Sequence, residues 1–481
     1  MLSDEFHVYD TTLRDGAQRE GISYSVADKL AVARLLDELG VGFIEGGWPG
    51  ALPKDTEFFR RARTEVPLRH AQLVAFGATR KAGTTASADP QVLALRDAQT
   101  PVVTLVAKSD LRHVTMALRT TPEENLAMVS DTIAFLVAEG RQVFLDCEHF
   151  FDGYRHDRDY GVRVLAAAVE AGADVGVLCD TNGGMLPMGL GRVVAEVRER
   201  TGFRIGIHCQ DDTACAVANT LAAVEAGATH VQCTANGYGE RTGNADLFAV
   251  LGGLVTKMGR DVLPAGLLAE SVRVSHAIAE IANITPDTHQ AYVGSSSFAH
   301  KAGLHASAIK VSPELYNHMD PTLVGNDMRI LVTEMAGRAS IELKGRELGE
   351  DVQRHFELES YRVIVERLHG GRVSSEATVK LHAKGERIVA TGEGNGPVNA
   401  LDRALRSALE GLYPDLAGLE LTDYKVRILE GRHGTDAVTR VLVETGDGER
   451  EWTTVGVHSN VIEASWLALS DAVRYGLLAS G

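Results

Sequence analysis

The sequence predicts an α/β protein in which a (β/α)8 TIM barrel precedes a helical linker subdomain and a C-terminal α+β domain with an internal repeat. Three observations predict this architecture. Short apolar runs alternate with longer segments of helical periodicity up to about residue 250, strand-like runs then stop, and β-alternation returns from Arg372 onward. The predicted domains are residues 1–260 (TIM barrel), 261–370 (helical linker subdomain) and 371–481 (C-terminal α+β domain with the internal repeat).

Eight strand candidates occur in the first domain. They are short and rich in apolar residues, as buried parallel strands are, and helical segments such as Ala27–Leu39 separate them. Eight strands in this length fit a closed barrel better than an open doubly wound sheet. In chain order they are His7–Asp10, Phe43–Trp48, Ala71–Phe76, Val102–Ala107, Val143–Glu148, Val175–Thr181, Arg204–Gln210 and His230–Ala235.

The linker, residues 261–370, lacks strand-like runs, and we expect helices such as Leu267–Ile281 joined by polar loops. The last domain repeats itself when it is shifted by 64 positions. Gly392 then pairs with Gly456, and Ala400 pairs with Ala464. Each copy is predicted to contain short strands followed by an Ala/Leu-rich helix.

The turn at residues 392–397 in the first copy opens a helix, whose free backbone N–H groups and dipole favour a carboxylate. An alternative interpretation is that these glycines only make a tight strand-to-helix turn. We take Gly394, Gly396 and Asn460 as candidate effector-binding residues.

Composition excludes several classes of protein. Of 481 residues, 48 are Lys or Arg and 65 are Asp or Glu, which gives a formal net charge of −17. Nucleic-acid-binding and anionic-membrane surfaces need the opposite charge, so neither partner is expected. The five cysteines are scattered in apolar runs, which predicts reduced, buried thiols. The acidic start of the sequence has no signal-peptide pattern, and we expect a cytoplasmic protein.

Polar side chains follow the predicted strands where a TIM barrel carries its active site, at the carboxyl ends. Arg14 and Asp15 follow the first strand, and Glu45 ends the second. The others are Asp146 and Glu148 on the fifth strand, Thr181 on the sixth, His208 and Gln210 on the seventh, and Asn244 after the eighth.

Strand alternation groups these residues. His208 and Gln210 lie two positions apart and therefore point to the same side, as do Asp146 and Glu148. The barrel mouth would receive a carboxylate from Asp15, an imidazole from His208, and amide oxygens from Gln210 and Asn244. Such an oxygen-rich donor set suits Mg²⁺ or Mn²⁺ better than tetrahedral Zn²⁺. Arg14 is placed to stabilise an oxyanion beside this ion.

Together, these motifs resemble the 2-isopropylmalate synthase and homocitrate synthase family, and within it most closely the citramalate synthases. The resemblance spans nearly the whole chain. The segments that carry it are YDTTLRDGAQ, EGGWPG, AVANTLAAVEAGA, GYGERTGNADL, FAHKAGLHASAI and TVGVHSNVIEASWLAL. It implies an acyltransferase that condenses acetyl-CoA with pyruvate and water to give (R)-citramalate and CoA, with isoleucine as effector of a homodimer's tail domain.

The resemblance also implies roles for individual residues. Asp15, His208 and Gln210 would bind the metal, with Asn244 nearby. Arg14 would polarise the ketone, and Glu45 would either position Arg14 or cap the barrel mouth. Thr181 would hold the 2-oxo acid's carboxylate. Asp146 or Glu148 would lie near the acetyl-CoA methyl group, and the sequence does not separate them. The linker would contribute His305 and Tyr316.

One position departs from the family pattern. Relatives usually have His-x-His-Asn-Asp on the seventh strand. In this chain Gln210 replaces the second His of that pattern, and Asp211 replaces the Asn. An amide oxygen binds Zn²⁺ less well than an imidazole does. Asp211 or Asp212 would be the residue to compensate with a carboxylate.

Three alternatives stay open. A 2-isopropylmalate or homocitrate synthase would use a bulkier acceptor than pyruvate. The binding free energies of acceptors that differ in apolar size differ by only a few kcal/mol. A retro-aldol lyase would share the metal site but not the repeated tail. A non-catalytic regulator would bind a branched-chain amino acid without turnover.

Overall fold

The computed structural model describes residues 6–300, 308–309, 311–330, 355–367, 370–371, 373–428, 438–448 and 451–479. The chain divides into two compact units. The first comprises Met1–Phe298 and Met319–Asp327, and the second comprises Ala299–His318 and Met328–Gly481. The first unit therefore extends past residue 260, where the sequence predicts the barrel domain to end.

The first unit is built around a closed barrel of eight parallel strands in chain order, in which the last strand pairs with the first. Each strand overlaps one that the sequence predicts, so the predicted TIM barrel is confirmed. The strands are β1 (His7–Asp10), β2 (Phe43–Gly47), β3 (Gln72–Ala78), β4 (Val102–Lys108), β5 (Gln142–Glu148), β6 (Val175–Asp180), β7 (Ile205–Cys209) and β8 (His230–Cys233).

Helices surround the barrel, and local sequence signals set their ends. Ser25 and Asp28 form a capping box at the start of the first helix, and Gly40 ends it with φ 89°. The helices are α1 (Val26–Leu39), α2 (Pro53–Glu65), α3 (Pro90–Asp97), α4 (Pro122–Ala138), α5 (Phe150–His156), α6 (Arg158–Glu170), α7 (Pro187–Thr201), α8 (Ala216–Glu225), α9 (Leu247–Thr256) and α10 (Ser271–Ile281).

The barrel interior is layered along its axis. Near the amino ends of the strands, the rings of His7, Phe43, Phe144 and His230 contact one another, with ring-centroid distances of 4.7–5.7 Å between neighbours. About two residues further along the barrel strands, the inward side chains become polar. This second layer contains Tyr9, Glu45, Thr104, Asp146, His208 and Gln232, all buried.

The second unit confirms the predicted repeat. Its first copy has β11 (Phe356–Arg367), β12 (Val373–Ala383), β13 (Glu386–Gly394) and α11 (Pro397–Leu409), and its second has β14 (Glu420–Ile428), β15 (Thr439–Gly446), β16 (Glu451–His458) and α12 (Val461–Ala479). Each set of strands forms an antiparallel sheet. Gly392 and Gly456 lie where a Cβ would collide with backbone of the copy's own helix, so both copies need glycine there.

The prediction that residues 261–370 contain no strand is wrong. The two-residue strands β9 (Ala299–His300) and β10 (Arg329–Ile330) pair, and β11 lies at Phe356–Arg367. Most side chains of β11 are exposed or half-buried and many are charged, so this strand lacks the apolar run that reveals a buried strand.

All five cysteines are free, and four of them are buried, as the sequence predicts. In the described ranges, no helix combines the length and the apolar character that crossing a bilayer requires.

Candidate active site

A cavity of about 670 Å³ opens at the carboxyl ends of the barrel strands. We call it the strand-end cavity. Seven of the residues singled out from the sequence line it: Arg14, Asp15, Asp146, Glu148, Thr181, His208 and Gln210. These residues come from the turn after β1, from the carboxyl ends of β5 and β7, and from the positions just after β6 and β7. They converge on one space, as the barrel topology requires.

Arg14 is held in place by Glu45 and Phe76. Its Nε donates to Glu45 Oε2 at 2.5 Å, and its guanidinium stacks over the Phe76 ring at 3.9 Å. Glu45 is completely buried and also accepts hydrogen bonds from Tyr9 and Thr11, both at 2.5 Å. Burial works against the charge on Arg14, but Glu45 and Asp15 outweigh it and raise the pKa of Arg14 above its ordinary value. Glu45 therefore positions a permanently charged Arg14 at the cavity.

Asp15 and His208 form a pair at the cavity floor. Oδ2 of Asp15 lies 3.3 Å from Nε2 of His208 and 3.6 Å from the Arg14 guanidinium. Burial would raise the pKa of Asp15, but Arg14 and His208 outweigh it and lower the pKa to about 2. Burial would lower the pKa of His208, and Asp15 outweighs it so that the pKa rises. Asp15 is thus ionised, and its Oδ2 and Nε2 of His208 lie side by side as two donors for a cation.

Gln210 and Asn244 carry buried oxygens without hydrogen-bond partners in the described structure, namely Oε1 of Gln210 and Oδ1 of Asn244. The two residues form a β-bridge with each other, and Asn244 donates through Nδ2 to the Tyr238 carbonyl at 2.9 Å. An unpaired buried oxygen is costly unless something binds it. The predicted oxygen-rich donor set therefore fits a divalent metal ion.

This donor set contains only two residues of the types most common at metal sites. Among the described residues, no group of three or more His, Cys, Asp or Glu side chains has a metal-binding arrangement. Asp15 and His208 supply a charged and a nitrogen donor, and the amides supply the rest, which favours a hard ion.

The two carboxylates of β5 have different surroundings. Asp146 is 4% exposed and accepts a hydrogen bond from Gln232 at 2.8 Å, and burial together with Glu45 raises its pKa to about 7. Glu148 is 27% exposed and forms an ion pair with Lys108 of β4. Both carboxylates line the strand-end cavity, but Asp146 is the more deeply buried and is hydrogen-bonded to Gln232, whereas Glu148 is paired with Lys108.

Asp211 and Asp212 have other partners. Asp211 Oδ1 accepts a hydrogen bond from the Ala216 backbone N–H at 2.8 Å, and Asp212 pairs with Arg241 at 2.8 Å. Neither carboxylate is among the residues lining the strand-end cavity, so compensation for Gln210 by Asp211 or Asp212 stays a prediction.

Three family models match the chain. The HMGL-like model matches residues 5–278, the homocitrate synthase post-HMGL domain-like model matches 292–369, and the LeuA allosteric (dimerisation) domain model matches 334–477. An (R)-citramalate synthase of Streptomyces coelicolor is 63% identical over all of this chain and 98% of its own length. An (R)-citramalate synthase of Synechocystis is 45% identical over 98% of this chain and 96% of its own length. The chain belongs to the (R)-citramalate synthase family.

More distant relatives have other names. A 2-isopropylmalate synthase of Methanocaldococcus jannaschii is 29% identical over 98% of this chain and 95% of its own length. This level of identity is well below that of the two citramalate synthases and agrees with the resemblance found in the motifs.

Two residues that the family resemblance implies for the site do not belong to the described part of the first unit. His305 lies outside the described residues. Tyr316 belongs to the second unit, where it is 43% exposed. The centroids of its ring and of the His300 ring lie 6.4 Å apart. Their predicted roles therefore stay predictions.

The effector candidates lie at equivalent turns of the two repeats. Gly396 precedes α11, whose first N–H groups have no side-chain cap. Asn460 occupies the equivalent position before α12, where its Oδ1 accepts hydrogen bonds from Ile462 and Glu463. A Cβ on Gly394 would lie 2.6 Å from the Ala400 backbone nitrogen, so Gly394 serves close packing in addition to any binding role.

Sequence reasoning did not single out Gln232, which contacts two of the candidate site residues. It lies on β8 beside His208, and its side chain contacts both His208 and Asp146. The alternation of β8 carried a signal for it, because Gln232 lies two positions after the inward-facing His230 and therefore points to the same side.

Proposed function

We propose that the protein condenses acetyl-CoA with pyruvate and water to give (R)-citramalate and CoA, as an entry reaction to isoleucine biosynthesis. The observation that carries this proposal is the full-length similarity to two (R)-citramalate synthases, at 63% and 45% identity. The strand-end cavity supports it, because it places a positive charge, a metal-type donor set and carboxylates around one small space.

Asp15, His208, Gln210 and Asn244 would hold the divalent ion, for which we propose Mg²⁺ or Mn²⁺ rather than Zn²⁺. When bound, this ion would act as a Lewis acid toward the ketone of the 2-oxo acid. The unpaired oxygens of Gln210 and Asn244 support this assignment.

Arg14 would stabilise the negative charge that develops on the keto oxygen. Its Nε is engaged by Glu45, so the guanidinium is oriented before the reaction and needs no rearrangement. Thr181 would hold the substrate carboxylate. Its Oγ1 accepts a hydrogen bond from the His149 N–H at 2.8 Å, which leaves the hydroxyl hydrogen available to donate.

Glu148 is our choice for the base that removes a proton from the acetyl methyl group. Both carboxylates line the cavity, but Glu148 is the more exposed of the two, whereas Asp146 accepts a hydrogen bond from Gln232. The methyl carbon then forms a bond to the keto carbon, the keto oxygen takes up a proton, and water cleaves the thioester to release CoA. His305 and Tyr316 are proposed to complete the site, as the family resemblance implies.

The second unit is proposed to join two copies of the chain and to bind isoleucine. The match of residues 334–477 to an allosteric dimerisation domain supports a homodimer. The uncapped N–H groups at Gly396 support a carboxylate site at the first repeat. We also propose that the protein acts in the cytoplasm, which its five free thiols support.

The test is CoA release from acetyl-CoA by purified protein with Mg²⁺ or Mn²⁺, measured in parallel with pyruvate, 2-oxobutyrate, 2-oxoisovalerate and 2-oxoglutarate. We expect pyruvate to be strongly preferred. A preference for 2-oxoisovalerate would identify a 2-isopropylmalate synthase instead. Folded protein that releases no CoA with any acceptor but is stabilised by isoleucine would support the non-catalytic regulator.

A further inference from the structure

Gln232 connects two parts of the candidate site that are far apart in the chain. It lies on β8, where its Cα pairs in register with that of His208 on β7. Its Nε2 donates to Asp146 Oδ1 on β5 at 2.8 Å, and its Oε1 lies 3.0 Å from Nδ1 of His208. Gln232 is 1% exposed, so water does not compete for either contact.

The two contacts show which end of the Gln232 amide faces each partner. In the structure the NH₂ group of Gln232 faces Asp146 Oδ1 and its carbonyl oxygen faces His208 Nδ1, and an amide oxygen only accepts hydrogen bonds. His208 must then donate through Nδ1–H. The other ring nitrogen, Nε2, is the atom that faces Asp15 and the strand-end cavity.

We propose that Gln232 is a positioning residue that holds the His208 ring with its proton on Nδ1 and thereby presents Nε2 as a metal ligand. Hydrogen bonds to the second ring nitrogen fix the orientation and basicity of metal-binding histidines, and their loss commonly costs about 10–100-fold in metal affinity. Glutamine suits this position because one uncharged side chain both donates to Asp146 and accepts from His208. The inference rests on the proposed function only in requiring that His208 bind a metal ion.

The test compares Mn²⁺ binding, by titration with electron paramagnetic resonance, in the unchanged protein and in Gln232→Met and Gln232→Glu. Methionine keeps the length and the absence of charge but cannot accept from Nδ1–H, and we expect Mn²⁺ affinity to fall about 10–100-fold. Glutamate keeps the acceptor and should bind Mn²⁺ at least as well as the unchanged protein. A space-filling role for Gln232 predicts the reverse order, because the carboxylate introduced by Gln232→Glu would add a buried charge beside Asp146.

Gln142→Met is the matched control. Gln142 also donates to a carboxylate, that of Asp174, but it lies at the amino end of β5, away from the cavity. We expect its Mn²⁺ affinity to equal that of the unchanged protein.

A second readout separates a hydrogen bond from a general effect of charge. In Mg²⁺-saturated protein, the Nδ1–H proton of His208, assigned through its loss in His208→Asn, should give a protected downfield NMR signal. This signal should persist in Gln232→Glu and exchange rapidly in Gln232→Met. Equal Mn²⁺ affinity in Gln232→Met and the unchanged protein, or equal protection of the signal, would overturn the inference. Both measurements omit acetyl-CoA and 2-oxo acids, so they succeed or fail independently of the acceptor assay.

Discussion

The two layers of the barrel interior share the strands β1, β2, β5 and β8 but differ in chemistry. The layer nearest the amino ends packs Phe43, Phe144 and two histidines against one another, and its energy comes from burial and ring contacts. The layer above it buries Glu45 and Asp146, and the burial of a carboxylate does not by itself stabilise the fold. The first layer therefore stabilises the barrel, while the second orients Arg14 and His208 at a cost in stability. Changes in the second layer should therefore alter catalysis, and changes in the first should alter stability.

The largest effect is expected at the cavity wall. Glu148→Gln removes the proposed base and should lower kcat/KM by about 10²–10⁴-fold, the usual contribution of general base catalysis. Asp146→Asn should cost less, about 10–100-fold, because Asp146 acts through Gln232. Steady-state CoA release with pyruvate measures both. If Asp146→Asn is the more damaging at saturating Mn²⁺, the roles assigned to the two carboxylates are reversed.

In the amino-end layer, Phe144→Ala should lower the free energy of unfolding by about 3–5 kcal/mol, since it leaves a cavity among packed rings. Denaturant unfolding of metal-free protein measures this change. Mn²⁺ affinity of the folded variant should be unchanged. A variant that unfolds normally but loses its Mn²⁺ affinity would show that the two layers are not separate in function.

A smaller effect is expected when the metal donors are changed. Gln210→His replaces an amide oxygen with an imidazole nitrogen and should raise Zn²⁺ affinity relative to Mg²⁺ on the order of tenfold or more. Competition between the two ions for binding, followed by calorimetry, measures the ratio. Gln142→His, at the opposite end of the barrel, serves as control. An unchanged ratio in Gln210→His would remove Gln210 from the proposed ligand set.

The smallest effect concerns acid stability. Burial and the neighbouring His7, whose Nδ1 lies 3.3 Å from Nδ1 of His230, hold the pKa of His230 well below its ordinary value. The unfolded chain takes up a proton at His230 below about pH 6.5, and the folded protein does not. The stability contributed by neutral His230 is thus complete above that pH and is lost as the pH falls.

Unfolding of metal-free protein between about pH 5 and 8 should therefore show a shallower acid loss in His230→Phe than in the unchanged protein. The control is His156→Gln, because His156 is exposed. An identical pH dependence in all three proteins would mean that His230 is protonated inside the barrel.

The sequence predicted the barrel and the repeat well because both leave local signals. Buried parallel strands read as apolar runs, and the 64-residue repeat aligns Gly392 with Gly456, where each helix approaches its sheet. The exposed strand β11 has no such signal. At the site, strand alternation brought His208 and Gln210 together, but it did not separate Asp146 from Glu148. That distinction depends on Lys108 and Gln232, and Gln232 lies 86 positions from Asp146 in the chain.

Condensation of pyruvate with acetyl-CoA can be followed directly by ¹³C NMR, with [2-¹³C]pyruvate, acetyl-CoA, the protein and Mg²⁺ in one sample. We expect the ketone signal to be replaced by that of the tertiary alcohol carbon of citramalate, with one CoA released for each pyruvate consumed. Arg14→Gln and Asp15→Asn should abolish this conversion. Citramalate synthesis is contradicted if pyruvate remains unchanged while the same protein converts 2-oxoisovalerate, or if pyruvate remains unchanged with folded, metal-bound protein.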